Sequence, residues 1–111
     1  MVIRMNENRQ APWERGPLTV SGNGRYFLCG EEPFFFLGDT AWLLFHRLTP
    51  EESYLYLKNR KELGYNVILA DFIHTAGQQN RAGDSALISG DPARPDTEGG
   101  FWEHVDAVVE M

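Results

Sequence analysis

The sequence predicts an α/β fold in which an N-terminal β-hairpin is followed by two strand-helix units. Three observations support this prediction. Short β-prone runs flank a glycine-rich turn, two continuous apolar runs follow them, and a helix with a complete N-terminal capping signal separates the apolar runs. Since a helix joins the two apolar runs, we expect them to be parallel neighbours in one sheet.

The composition is that of an ordinary folded protein. The chain has 111 residues, of which 42% are hydrophobic and 13% aromatic, and its formal net charge is −6. Disordered chains lack this apolar content. The 10 Lys and Arg residues are scattered, whereas nucleic-acid phosphates require clustered basic side chains. We therefore expect no nucleic-acid partner.

The sequence also gives no indication of membrane insertion. No stretch approaches the roughly 18 apolar residues of a spanning helix, and residues 1–10 lack the apolar centre of a signal peptide. The single Cys29 has no partner for an internal disulfide. We expect a cytoplasmic protein without a membrane partner.

The N-terminal part divides into a polar arm and a hairpin. Residues 1–16 show no periodicity and are predicted to form an arm, and residues 17–111 the folded domain. Leu18–Val20 and residues 25–28 are short strand candidates. The turn between them, residues 21–24, contains glycines and an asparagine, which adopt positive φ at little cost.

Two apolar runs are predicted to be the parallel strands. Residues 34–37 are apolar without alternation, a pattern typical of strands that are covered on both faces. Residues 65–70 form a second run, which is largely apolar and contains β-branched residues. The link over residues 77–100 is rich in Gly, Asp, Ser and Pro, and connections of this length are usually functional or disordered. A second helix is predicted over residues 101–111, and it is still running where the chain stops.

The first predicted helix has clear start and stop signals. Thr49 is its N-cap, Pro50 its first residue, and Glu52 completes a capping box. It is expected to run to about residue 63, where Gly64 provides the C-terminal cap. Its expected apolar positions are Tyr54, Leu55, Leu57 and Leu63.

One β-hairpin and two strand-helix units account for residues 17–111. A closed (β/α)8 barrel needs eight units and about 250 residues. The chain is therefore predicted to form the beginning of a TIM-type (β/α)8 barrel, which is incomplete over this length.

A family resemblance agrees with that prediction. It rests on the segments 18–26, 35–42, 45–52 and 56–68, and most specifically on the element Gly38-Asp39-Thr40-Ala41-Trp42. With these segments, residues 17–111 resemble the N-terminal part of the apiosidase-like glycoside hydrolases. The resemblance implies a barrel that cleaves glycosidic bonds in plant-type polysaccharide side chains, with a carbohydrate substrate and no cofactor. In that family the two catalytic carboxylates lie further along the chain, so no residue here is predicted to be catalytic.

Asp39 and Trp42 are the first candidates for sugar contacts. Asp39 follows the predicted strand 34–37, and ligands bind at the C-terminal ends of barrel strands. The alternative is that Asp39 caps the following turn. Trp42 has an indole face suited to the C–H groups of a sugar ring, but core packing is an equally good interpretation.

Two histidines complete the predicted substrate-binding set. His46 lies in the first strand-helix loop, where it would bond a hydroxyl, orient Asp39 or only precede the Thr49 cap. His74 follows the second apolar run, with Asp71 as its rival for the same edge and a loop hydrogen bond as the alternative. Strand alternation predicts that Asp71 and His74 lie on opposite faces. No metal site is predicted, because the three histidines lie on separate elements.

Two other functions remain open at this point. A non-catalytic carbohydrate-binding or interaction module of α/β type would need its exposed apolar faces, 34–37 and 67–70, to be covered by self-association or by a partner. A nucleotide-binding domain is disfavoured, because the chain lacks the three-glycine fingerprint.

Overall fold

The computed structural model describes residues 14–111. The predicted arm, residues 1–16, therefore lies outside the described residues except for its last three positions. The chain divides into two compact units, one ending at Phe36 and one running from Leu37 to Met111.

The first unit contains a three-stranded antiparallel sheet. Its strands are β1 (Leu18–Val20), β2 (Phe27–Cys29) and β3 (Glu32–Phe34), in the order β1-β2-β3. The predicted hairpin corresponds to β1 and β2, with Val20 opposite Phe27. The Ser21 hydroxyl accepts a hydrogen bond from the amide of Tyr26 across the turn. The sequence analysis missed β3.

The predicted strand over residues 34–37 is wrong. Phe34 is the last residue of β3, opposite Phe27, whereas the Leu37 carbonyl accepts hydrogen bonds from the amides of Asn66 and Val67. Residues 34–37 therefore pair with β2 at one end and with the segment before β5 at the other. Their uniformly apolar composition does not indicate where the partner changes. Phe35 is 79% exposed, so the run is not covered on both faces.

The second unit has a two-stranded parallel sheet and three helices. Its elements are β4 (Gly38–Thr40), α1 (Leu44–Arg47), α2 (Pro50–Glu62), β5 (Val67–Leu69) and α3 (Gly100–Val109), with a short 3-10 helix at Ile88–Gly90. Strands β4 and β5 pair in parallel, and α1 and α2 lie between them in the chain. A parallel pair joined through a helix is the arrangement that the sequence predicts.

Helix α2 begins and ends as expected. The Thr49 hydroxyl accepts from the Glu52 amide at 3.2 Å, and the Thr49 amide donates to the Glu52 carboxylate at 2.9 Å. Pro50 occupies the first turn, where its missing N–H costs nothing. Leu63 is the C-cap residue, and Gly64 has a φ of 90°, which suits glycine.

The predicted inner face of α2 is largely wrong. Tyr54, Leu55 and Leu63 are 53%, 64% and 60% exposed, and the most deeply buried position is Ser53. Tyr56 packs against the core instead. Of the predicted apolar positions only Leu57 packs against the core, beside Tyr56, so hydrophobicity alone did not identify the buried side.

The core of the second unit joins α1, α3 and the long link. Its buried residues are Leu44, Phe45, Ala86, Leu87, Phe101, Val105 and Val108. Phe101 is completely buried. The link over residues 77–100 supplies Ala86 and Leu87, and Leu87 forms a β-bridge with Pro95. This long connection is therefore part of the core.

Replacing Phe101 by Ala tests the position of this core. The variant should lower the free energy of unfolding by about 3–5 kcal/mol, because it removes a buried ring and leaves a cavity. Val109, 67% exposed on the same helix, is the control, and Val109→Ala should cost less than about 0.5 kcal/mol. Urea unfolding followed by circular dichroism measures both. Equal losses would contradict this core.

Candidate functional site

Strands β4 and β5 turn one face towards the core and the other towards solvent. Ile68 packs against the core cluster, whereas its neighbour Leu69 is 59% exposed. Side chains alternate along a strand, and Asp39 is the register partner of Ile68. Asp39 therefore lies on the core-facing side, and Thr40 on the exposed side with Leu69.

Asp39 is held by three groups. The Tyr56 hydroxyl donates to its Oδ2 at 2.7 Å, and the Thr40 amide donates to its Oδ1 at 3.0 Å. Arg60 Nε lies 2.7 Å from Oδ2, but its N–H is not directed at an acceptor, so this contact is an ion pair. The Tyr56 bond, the Thr40 amide and the Arg60 charge hold the pKa of Asp39 below its ordinary value, although burial opposes them.

The partners of Asp39 are themselves fixed. Burial and the bond to Asp39 raise the pKa of Tyr56, so its hydroxyl keeps the proton that it donates. The Arg60 guanidinium lies 5.1 Å from the Tyr56 ring centroid and 5.6 Å from that of Tyr65, distances typical of cation–π contacts. Asp39 thus ties β4 to α2 through oriented partners.

The sequence predicts Asp39 just past a strand, and this is wrong: Asp39 is the middle residue of β4. Both of its carboxylate oxygens accept hydrogen bonds within the protein. The bond from the Thr40 amide matches the alternative in which Asp39 caps locally. This geometry favours a structural role for Asp39.

Trp42, Asp71 and His74 come together where β4 and β5 end, and we call them the strand-end cluster. The rings of Trp42 and His74 are stacked, with centroids 6.3 Å apart and an interplanar angle of 25°. His74 Nδ1 lies 3.0 Å from Asp71 Oδ2, and the Asp71 amide donates to the Trp42 carbonyl at 3.1 Å. Two of the four predicted site residues, Trp42 and His74, are therefore neighbours.

The cluster is accessible and polar. Trp42 is 55% exposed, and the side chains of His74 and Asp71 are 40% and 43% exposed. When Nδ1 donates to Asp71, the second ring nitrogen of His74 is left to accept a hydrogen bond, or to donate one if the ring is protonated. The cluster thus offers an aromatic face, a carboxylate and an imidazole on one surface.

His46 is not part of this cluster. It is 3% exposed, its Nε2 lies 3.1 Å from the Phe72 carbonyl, and its ring lies 5.3 Å from that of Phe101. Burial is the main cause that lowers the pKa of His46, while the bond to Phe72 opposes it. A ring this deeply buried does not meet a ligand at the surface.

Asp71 was weighed in the sequence but not selected. The alternation argument assigned Asp71 and His74 to opposite faces, yet the structure joins them. The chain bends at Phe72 and again at His74, so the period of two ends before it reaches the histidine. One feature of the sequence could have indicated Asp71. It lies two residues after Leu69, so the two side chains share a face of the strand if the strand geometry continues to Asp71, and Leu69 is exposed.

A cavity of about 540 Å³ adjoins the cluster. Its lining includes Thr40, Trp42, Arg47, Tyr56 and His74, together with apolar side chains. Ligand pockets commonly have volumes of about 300–1,000 Å³. None of the residues that line this cavity is Asp or Glu.

Over residues 14–111, no group of three or more His, Cys, Asp and Glu side chains is arranged to hold a metal ion. In the same part of the chain, no helix has the length and apolar character needed to cross a bilayer.

The link between Asp39 and α2 predicts a pH-dependent effect of Tyr56→Phe. A carboxylate whose folded-state pKa is lowered stabilises the fold above its unfolded value, and this stabilisation is lost as the pH falls through the folded value. Tyr56→Phe removes the main cause of the lowering. The variant should be less stable than the parent at neutral pH, and the difference should narrow below pH 3.8, the ordinary Asp value.

Urea unfolding across this pH range measures the effect. Tyr54→Phe, on the exposed side of the same helix, is the matched control and should show no such dependence. A constant difference between Tyr56→Phe and the parent at all pH values would contradict the assignment of Asp39.

The chain is similar to known glycoside hydrolases over most of its length. A solved glycoside hydrolase family 5 protein from Bacteroides vulgatus superposes with a TM-score of 0.79 at 31% identity, covering 91% of this chain and 23% of that one. A second structure, described as a glycoside hydrolase, has a TM-score of 0.79 at 34% identity and covers 91% of this chain and 24% of that one. The chain thus spans about a quarter of their length. No curated protein matches it.

The family model for the apiosidase-like catalytic domain matches residues 21–111. The matched region contains β4, α2, β5 and α3, and therefore the strand-end cluster and the link between Asp39 and α2. The chain belongs to the apiosidase-like catalytic domain family.

Proposed function

We propose that the chain contributes the first two parallel strands of a glycoside hydrolase barrel, and that the strand-end cluster contacts the carbohydrate. The observation that carries this proposal is the half-exposed Trp42 stacked beside His74 at the ends of two adjacent parallel strands. In (β/α)8 barrels the active site lies at this end of the strands.

The chemistry of the cluster suits a sugar. The face of an indole ring is apolar and electron-rich, and it can pack against the C–H groups on one side of a sugar ring. Sugar hydroxyls both donate and accept hydrogen bonds. The Asp71 carboxylate can accept a hydrogen bond from a sugar hydroxyl, and the second ring nitrogen of His74 can accept or donate one. The two polar groups can therefore fix the orientation of a sugar ring that lies on Trp42.

The family suggests a substrate class for the proposal. An apiosidase-like domain suggests glycosides of apiose in plant-type polysaccharide side chains, and the mechanism for the whole enzyme would use two carboxyl groups on either side of the glycosidic bond. The cavity beside Trp42 is lined by no carboxylate, and Asp71 is paired with His74. We therefore assign binding to this chain, and the catalytic pair to residues outside it.

Replacing Trp42 by Ala tests the sugar contact. The variant should weaken binding of a methyl apiofuranoside by about tenfold or more, because the stacking surface is lost. Phe35→Ala is the control, since Phe35 is a 79% exposed aromatic residue in the first unit, and it should leave the affinity unchanged. Isothermal titration calorimetry measures both. Unchanged affinity in Trp42→Ala would contradict the proposal.

The same titration separates binding from catalysis. The 111-residue chain should bind the glycoside without releasing free apiose, as a non-catalytic carbohydrate-binding module also would. Turnover by the purified chain, absent in a preparation made without it, would show that a catalytic pair lies within these residues and would overturn that part of the proposal.

A further inference from the structure

The segments that follow β4 and β5 are joined by several contacts, of which three concern the strand-end cluster and His46. The Asp71 amide bonds the Trp42 carbonyl, the rings of Trp42 and His74 stack, and the His46 ring contacts the Phe72 carbonyl. The first two contacts lie within the strand-end cluster. The third comes from a buried residue that the proposed sugar site does not use.

The contact between His46 and Phe72 fixes the tautomer of the imidazole. A carbonyl oxygen only accepts hydrogen bonds, so Nε2 must carry a proton and donate it across the 3.1 Å contact. Burial is the main cause that lowers the pKa of His46 and the His74 charge adds to it, whereas the backbone contacts with Phe72 and Gln79 and the Asp71 charge oppose the lowering. The ring is therefore favoured in its neutral form, with its hydrogen on Nε2.

Packing alone does not require a histidine at this position. His46 is 3% exposed and contacts the fully buried Phe101, a setting in which an apolar side chain would avoid the cost of burying a polar ring. What an apolar side chain lacks is a donor for Phe72. The hydrogen bond is therefore the property that distinguishes histidine here.

The Phe72 carbonyl belongs to the planar peptide unit between Phe72 and Ile73. The Phe72 ring is held separately, 5.1 Å from the Phe45 ring and 6.2 Å from that of Trp102. With the ring anchored, the hydrogen bond from His46 sets the rotation of the next peptide plane. That plane directs the chain towards His74, two residues after Phe72.

We propose that His46 is a positioning residue, whose Nε2–H donates to the Phe72 carbonyl and thereby holds His74 in stacking contact with Trp42. The role rests on the proposed function in so far as the strand-end cluster binds sugar. The positioning itself concerns two rings of the protein and is measurable without a ligand.

Two amide variants differ in reach but not in chemistry. The side-chain nitrogen of His46→Gln extends about as far as Nε2 and can donate to Phe72, whereas that of His46→Asn is one bond shorter and cannot. His46→Leu removes the donor altogether. Nuclear Overhauser effects between the Trp42 indole and the His74 imidazole report the stacked contact in each variant.

The contact should persist in the parent and in His46→Gln and be lost in His46→Asn and His46→Leu, although His46→Leu keeps a folded core. In the same variants, methyl apiofuranoside binding should weaken about fivefold wherever the contact is lost. Retention of the contact in a folded His46→Asn or His46→Leu would overturn the proposal.

A measurement on the parent keeps the test decisive if a variant fails to fold. Long-range proton–nitrogen correlation spectra identify the protonated ring nitrogen of His46. A hydrogen on Nε2 is expected, and a neutral ring protonated only at Nδ1 would overturn the proposal. If the parent binds no sugar but shows the expected tautomer and contacts, the sugar site fails and the positioning role stands.

Discussion

The bond from the Tyr56 hydroxyl to the Asp39 carboxylate ties the parallel sheet of the second unit to its crossover helix. It joins the middle of β4 to α2, the helix that carries the chain to β5. The Arg60 ion pair adds charge to the same oxygen, and the rings of Tyr56 and Tyr65 orient the guanidinium. A strand of three residues has little pairing of its own, so a side-chain link to the crossover helix has a large share in fixing its position.

The parallel arrangement then determines where the polar residues meet. Both strands end at the same edge, and the residues that follow them contact each other directly, with Asp71 bonded to Trp42 and Phe72 to His46. One contact lies at the surface and the other is buried. In our proposal the buried His46 positions the imidazole of this cluster through the Phe72 carbonyl. In the proposed function, residues 38–42 thus serve stability through Asp39 and recognition through Trp42.

The parts of the fold that follow from local chemistry were predictable from the sequence. The capping box at Thr49 and the apolar run after Gly64 are short-range signals. In the structure the first begins α2 and the second contains β5. The division of residues 34–37 between two sheets was not predictable, because it depends on long-range backbone hydrogen bonds. Phe34 pairs with Phe27, whereas Leu37 bonds the segment that enters β5. The buried face of α2 was predicted only at Leu57, because the other side chain that packs against the core is Tyr56, a tyrosine bonded to a carboxylate.

The candidate site shows the same limit. Trp42 and His74 were chosen from their positions after apolar runs, and they lie together. Asp71 was set aside because strand alternation was extended into a bend, and His46 was a candidate for a sugar contact in the first strand-helix loop although it is buried in α1. Both errors concern the direction of side chains that follow the end of a strand. The two-residue alternation of a strand does not apply to such residues.

The central claim is that Asp39 serves the fold and Trp42 the ligand. Asp39→Asn separates the two, because it keeps the shape of the side chain but removes the charge paired with Arg60. Paired measurements of unfolding free energy and methyl apiofuranoside affinity should show a less stable protein whose folded fraction binds as the parent does. A variant of parental stability that no longer binds the glycoside would contradict the account.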